Sequence, residues 1–189
     1  LYYRGIDRFF YASELLITGG ELDGWTTRRT ENGESGSVWG FEFYWNKDLH
    51  LLPEKWGGLN ISGFYTFSES EAKVKTRPGE QLLLPERSRH LASLTLGHTL
   101  GNLKSIAAIK YQSQYLDEIG VVSFEDEYVD DALHIDARFV YRWSPMASLF
   151  AKFYKLGDIH NRKYKGIPTR LGQVEYGSWR VLLGFRFTL

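Results

Sequence analysis

Apolar and polar side chains alternate along this chain with a period of two, the repeat of a β-strand whose two faces meet different surroundings. The last stretch, Val174–Leu189, shows it most fully. From Gly177 onward the odd positions are Gly177, Trp179, Val181, Leu183, Phe185, Phe187 and Leu189, while the even ones include Ser178, Arg180, Gly184, Arg186 and Thr188. Val38 to Lys47 sets Trp39, Phe41, Phe43 and Trp45 against Gly40, Glu42, Tyr44 and Asn46. The same alternation predicts strands over 59–68, 87–100 and 133–143, the last with Leu133, Ile135, Ala137, Phe139, Tyr141 and Trp143 on one face. Residues 1–11, 103–115 and 146–157 complete the set with a less regular pattern, Ser105 and Ser113 breaking the apolar face of the second.

Long polar segments, read as loops, separate these strands at 14–36, 69–86, 116–131 and 158–172, and short turns do so at 48–58, 101–102 and 144–145. All five prolines (53, 78, 85, 145 and 168) fall between predicted strands, as ladder hydrogen bonding requires. The expected fold is therefore all-β, an antiparallel up-and-down meander of about eight strands whose connections alternate between long and short. In a soluble sandwich so long an apolar face would meet a second sheet. Here aromatic residues run to the terminus with charges opposite them, the pattern of a transmembrane β-barrel, apolar outside and polar within, with long loops on one side and short turns on the other.

That reading places Trp39, Phe41, Phe43, Phe139, Tyr141, Phe185 and Phe187 against lipid and turns Arg138 and Arg186 inward. Two aromatic girdles are expected, Trp45, Trp56, Tyr141 and Trp143 at the turn end and Trp39, Tyr65, Phe67, Tyr115 and Trp179 at the loop end.

Composition changes the picture only a little. The 189 residues suffice for one domain; 16% aromatic content and 19 glycines favour β-structure. No cysteine is present, so disulfides and thiolate metal sites are excluded. Lys+Arg and Asp+Glu balance at 23 each, which offers no overall attraction to nucleic acid. A mean hydropathy of -0.33 is compatible with a membrane barrel, because only alternate strand residues face lipid. The sequence starts at Leu1 within a predicted strand, without initiator Met or signal peptide, which leads us to expect a processed chain or a fragment.

The ending Gly184-Phe185-Arg186-Phe187-Thr188-Leu189 resembles the C-terminal signal by which outer-membrane barrels are recognised, with Gly184, Phe187 and Leu189 at its key positions. Leu182 stands where that pattern prefers a polar residue, and Leu189 where it often has Phe. A wider resemblance runs through Tyr2-Tyr3-Arg4-Gly5-Ile6-Asp7-Arg8-Phe9, Asn32-Gly33-Glu34-Ser35-Gly36 with Gly40-Phe41-Glu42, Leu51-Leu52-Pro53, and Phe64-Tyr65-Thr66-Phe67-Ser68. It continues at Leu84-Pro85 with His90, at Tyr128 to Asp136, at Tyr141-Arg142 and at Tyr176-Gly177 with Gly184. In these stretches residues 1–189 resemble the C-terminal barrel portion of a TonB-dependent outer-membrane receptor. The resemblance implies a bacterial outer-membrane protein without enzymatic activity, importing a scarce nutrient such as a ferric siderophore or cobalamin. It implies outer-membrane lipid, the barrel assembly machinery and a small-molecule nutrient as partners, with TonB engaged only through an N-terminal part that also holds a plug domain.

Chemistry-bearing residues add little. The five histidines (His50, His90, His98, His134 and His160) show no spacing suited to a metal, and no cofactor is indicated. Ser93 or Ser105 with His98 or His134 would be needed for a lipid hydrolase, without supporting spacing. The acidic run Glu125 to Asp131 lacks the glycine and ligand spacing of a calcium loop. Arg162, Lys163, Lys165 and Arg170 form a basic segment suited to lipopolysaccharide phosphates or an anionic iron chelate. A complete small eight-stranded barrel of structural or adhesive role, and an outer-membrane lipid enzyme, remain the alternatives.

Overall fold

The computed structural model describes residues 1–49, 58–157 and 159–188. His50, Leu51-Leu52-Pro53, Trp56 and Leu189, all used in the sequence reading, lie outside them. In chain order the strands are β1 (Tyr2–Asp7), β2 (Phe10–Leu16), β3 (Thr26–Asn32), β4 (Ser35–Asp48), β5 (Leu59–Lys73), β6 (His90–Leu100) and β7 (Leu103–Gln112). They continue as β8 (Tyr115–Glu118), β9 (Glu127–Val129), β10 (Ala132–Arg142), β11 (Ala147–Tyr154), β12 (Ile159–Lys165), β13 (Leu171–Gly177) and β14 (Arg180–Phe187). One 3-10 turn, Ser123–Glu125, interrupts an otherwise all-β chain.

Eight strands pair into one antiparallel sheet in the order β1-β4-β5-β6-β7-β10-β11-β14. These are the eight segments that alternation predicts. Gly101, at φ 55, turns β6 into β7, and Ala147 closes the next turn by donating to the Ser144 carbonyl at 3.3 Å. The sheet is open: among the described residues it closes into no barrel, and β1 and β14 each pair on one side only.

The register confirms two unlike faces. Residues directly opposite one another in neighbouring strands share a face. Phe43 pairs with Tyr65, Tyr65 with Ala92, Ala92 with Tyr111 and Tyr111 with Leu133, a row of apolar residues crossing five strands. Nearer the turns, Tyr141 pairs with Leu149 and Leu149 with Phe185. The other face carries Glu42 opposite Thr66, Ser93 opposite Lys110, and Lys110 opposite His134. Arg138 and Arg186 stand on this polar face, on parity opposite to Phe139 and Phe185, as the alternation predicts.

The four long polar segments depart from expectation. Rather than loops, 14–36 is mostly the β2-β3 hairpin, 116–131 contains β8 and β9, and 158–172 is mostly the β12-β13 hairpin. The last two segments join in a second sheet of order β13-β12-β9-β8. In 69–86, β5 runs on to Lys73 and Leu82 then bridges back to Ala72. Together these elements make a cap at one end of the sheet. The buried apolar cluster lies here: Tyr11, Val38, Ala72, Val74, Leu82, Leu84, Leu116 and Ile119. Leu116 and Ile119 are almost fully buried, and Ile119 exchanges backbone hydrogen bonds with Ala12 and Glu14, docking the β2-β3 hairpin onto β8. Tyr115, expected in an aromatic girdle, belongs to β8 in the second sheet, because the main strand ends at Gln112.

Candidate functional site

The cap and the polar face of the sheet meet at a cleft. Two cavities of about 310 and 410 Å³ share His134 and Lys155 as lining residues. The first reaches up to Tyr115, Glu175 and Tyr176, the second runs down the sheet to Lys110, Asp136 and Arg180. Local geometry fixes this arrangement. Lys155 follows β11 in the left-handed region, at φ 53, and its N–H donates to Asp136 Oδ1 at 3.1 Å. Asp136 also lies 3.8 Å from Lys110 Nζ, and the Arg180 guanidinium sits 5.2 Å above the Tyr154 ring. The lower cavity thus gathers three cations, Lys110, Lys155 and Arg180, around one carboxylate. Such a lining suits an anionic or metal-chelate ligand of small-molecule size.

Above the cleft, opposite charges lock the cap. Arg162 Nη1 donates to Asp130 at 2.9 Å; Lys163 Nζ donates to Asp117 at 2.6 Å and to Glu127 at 3.0 Å. Lys165 reaches Glu14 at 3.3 Å, and Arg170 donates to the Phe124 carbonyl at 2.8 Å while covering that ring. Three of the four basic residues singled out in sequence are therefore ion-paired with acids of other cap segments, and the four do not converge on one open anion pocket. Burial alone would depress the Lys163 amine, but hydrogen bonds and charge from Asp117 and Glu127 carry it above its ordinary value. Asp117, Glu118 and Glu127 come close enough to hold a metal, yet Lys163 already bridges two of them and Arg28 pairs with the third.

The most buried charges were not singled out in the sequence. Arg77 and Asp126 side chains are each 3% exposed and paired at 2.5 Å, with Gly120 N–H also donating to Asp126 at 2.9 Å and Glu80 taking the other side of the guanidinium. Burial works against the Arg77 charge, and its two carboxylate partners more than offset that, so it is held above its ordinary value. For Asp126, burial pushes the carboxyl up, and the Gly120 and Arg77 hydrogen bonds only partly restrain it. This pair ties residues 69–86 to 116–131. No pattern around Arg77-Pro78-Gly79 announces it. The acidic and basic runs, by contrast, stand out in the sequence as charge, although their pairing is seen only in the fold.

The remaining residues read as a membrane surface are placed as follows. Trp39, Phe41, Phe43, Phe139, Tyr141 and Phe185 are all exposed and share one face, and Phe187 stacks on Phe185 with ring centroids 6.5 Å apart. A side chain at Gly184 would run into the Phe150 ring, which gives this glycine a packing reason of its own. Ser105 stands opposite His98 in the register, but no hydrogen bond joins them, and His98 Nε2 is buried without a partner among the described residues. Ser93 and His134 each face Lys110 rather than one another.

Neither the models of known protein families nor the curated proteins compared with this chain give a match. No helix among the described residues is long and apolar enough to cross a membrane, which says nothing about crossing by strands.

Proposed function

We propose that this chain is part of a bacterial outer-membrane β-barrel, with its cap outside the cell, serving as a receptor segment for TonB-dependent uptake of a scarce nutrient such as a ferric siderophore or cobalamin. One observation carries the membrane reading: the apolar face is continuous by register across eight strands and uncovered, with Phe43 59% and Phe185 56% exposed. Soluble monomers rarely leave contiguous apolar patches beyond a few hundred Å². Lipid is the cover that suits such a face without a second sheet. Strand length supports it: β6 and β10 have 11 residues and β7 has 10, the length that crosses a bilayer at a tilt of about 45°.

The receptor reading adds the family resemblance, an ordered cap, and a small-molecule cleft between cap and polar face. A count of eight strands in the main sheet favours the second reading, a complete small barrel. Against it stand Lys104, Lys110, Arg138, Arg142, Lys152, Arg180 and Arg186 on the polar face, facing only Glu42, Asp48 and Asp136 from strands of the same sheet. An eight-stranded barrel has an interior just wide enough to be filled by side chains, where surplus charge is costly.

Residues 1–189 refolded in detergent test this. Amide contacts between Tyr2–Asp7 and Arg180–Phe187 are expected to be absent, and labelled ferric chelates or cobalamin are expected to bind with loss in Lys155→Gln/Arg180→Gln. Direct pairing of the two end strands, with no nutrient bound, would favour the small barrel.

A further inference from the structure

The β2-β3 hairpin has one edge in use and one free. Gly33 N–H donates to the Phe9 carbonyl at 2.7 Å and Ile17 N–H to the Trp25 carbonyl at 2.8 Å, so the hydrogen-bonded pairs across the hairpin fall on odd residues. Even residues point their main-chain groups outward. On β2 that edge is taken: the Ala12 carbonyl accepts from Ile119 N–H, and Glu14 N–H donates to the Ile119 carbonyl. On β3 the outward groups belong to Thr26, Arg28, Thr30 and Asn32, and among the described residues no strand lies beside them. The edge stops there, because Glu34 N–H is already given to the Lys73 carbonyl.

An open edge recruits a further strand unless charge, proline or a bulge guards it. β3 (T-T-R-R-T-E-N) has no proline, and its register with β2 runs unbroken from Thr26 to Asn32. Its charges then decide which strand fits. Antiparallel pairing with a second copy of β3 has to match even residues with even ones. Centred on Arg28 or Arg29, that pairing sets an arginine against its own copy, and like charges directly opposite are destabilising. Centred on Thr30, it sets Thr30 against Thr30, Arg29 against Glu31, and Arg28 against Asn32. Arg29 already pairs with Glu31 within the chain, so the second copy completes a network of two acids and two bases. Arg28 keeps its own partner, Glu118.

We propose that the free edge of β3 is a docking surface for a second copy of this chain, the two hairpins joining antiparallel about a twofold axis at Thr30 into one four-stranded sheet. About six main-chain hydrogen bonds form, two for each facing pair of Arg28, Thr30 and Asn32. The contact uses the same surface on both copies, so it closes at two. The inference rests on the hairpin alone; it does not depend on what covers the apolar face or on which nutrient, if any, the protein imports.

The test follows residues 1–189, refolded in an uncharged detergent, by sedimentation equilibrium, and places single cysteines in a chain that has none. Thr30→Cys is expected to crosslink to its own copy, the facing Cα atoms being about 5.5 Å apart, a span that a disulfide bridges. Thr26→Cys, about 27 Å from its own copy in the same register, is expected not to crosslink. Thr30→Pro removes an N–H that β2 does not use, and is expected to weaken dimerisation at least tenfold while the Ile17 and Gly33 amides stay protected from exchange. Where Thr30→Pro opens the hairpin, charge reversal replaces it: Arg29→Glu is expected to weaken dimerisation and Arg29→Glu/Glu31→Arg to restore it. A monomer at every concentration, equal crosslinking of Thr26→Cys and Thr30→Cys, or dimerisation unchanged in both Thr30→Pro and Arg29→Glu would overturn the proposal.

Discussion

Replacing Arg77 by Met keeps most of the buried stem and removes the charge that faces Asp126. The Asp126 side chain is 3% exposed and would retain only the Gly120 N–H, 2.9 Å away, as a hydrogen-bond donor. Removing one member of a buried pair typically costs about 3–5 kcal/mol, because the other charge stays desolvated. Glu80 is solvated and enters this sum with no contribution. The loss should fall chiefly on the cap, since the ion pairs and hydrogen bonds of the two side chains run between Arg77, Glu80, Gly120 and Asp126, all in cap segments. Hydrogen exchange at the Ile119 and Gly120 amides is the assay, with protection expected to fall by about a hundredfold or more at pH 7. The deficit should also depend on pH. Burial already raises the Asp126 carboxyl, and without Arg77 it rises further, so the folded variant binds a proton at higher pH than the unfolded chain. A group raised in this way contributes stability as pH falls through its folded pKa. The deficit should therefore narrow on acidification from pH 7 towards about 4. Arg77→Met/Asp126→Leu should recover most of the loss at pH 7. Unchanged exchange in Arg77→Met, or a deficit that does not move with pH, would refute the reasoning.

Three further outcomes follow from the same structure. Lys163, Tyr115, Tyr128 and Tyr164 are all held above their ordinary values, the tyrosines by burial first, so their contributions are complete below about pH 10 and disappear as pH rises through the raised values; cap proteolysis is expected to accelerate above that pH before the main sheet unfolds. His98→Leu removes the buried Nε2 that has no partner among the described residues and should stabilise the main sheet by about 1–2 kcal/mol, read from the denaturant midpoint in detergent. Phe187→Ser/Leu189→Ser should lower the yield of heat-modifiable, membrane-inserted protein in cells, as a signal read before folding requires; normal yield would count against that reading.

How far the sequence could be read divides at the boundary between sheet and cap. In the main sheet each strand has two unlike surroundings, and a period of two records that directly; hence Trp39 to Trp45 and Leu133 to Tyr141 are legible as strands and as faces. In the cap the strands are short and flanked by partners on several sides. Thr26–Asn32 (T-T-R-R-T-E-N) carries no large apolar residue, and its pairing comes from β2 across a hairpin. Glycines and charges in 14–36 therefore looked like a loop, while Gly19, Gly20 and Gly24, all at positive φ, mark only the tip of the hairpin. The charge lock was half visible, since the acidic and basic runs stand out as charge while their pairing is seen only in the fold. The cleft was not, because Lys110, His134, Lys155 and Arg180 come from four separate segments and meet only through register.

The membrane-facing sheet is the central claim, and the absence of cysteine makes it directly measurable. Single cysteines placed in turn at positions 137 to 142 of the membrane-inserted protein can be exposed to a charged, water-soluble thiol reagent and, separately, to a lipid-dissolved one. The expected result alternates: positions 137, 139 and 141 react only from lipid, and positions 138, 140 and 142 only from water. Equal reaction along the whole stretch, or the opposite alternation, would contradict the account.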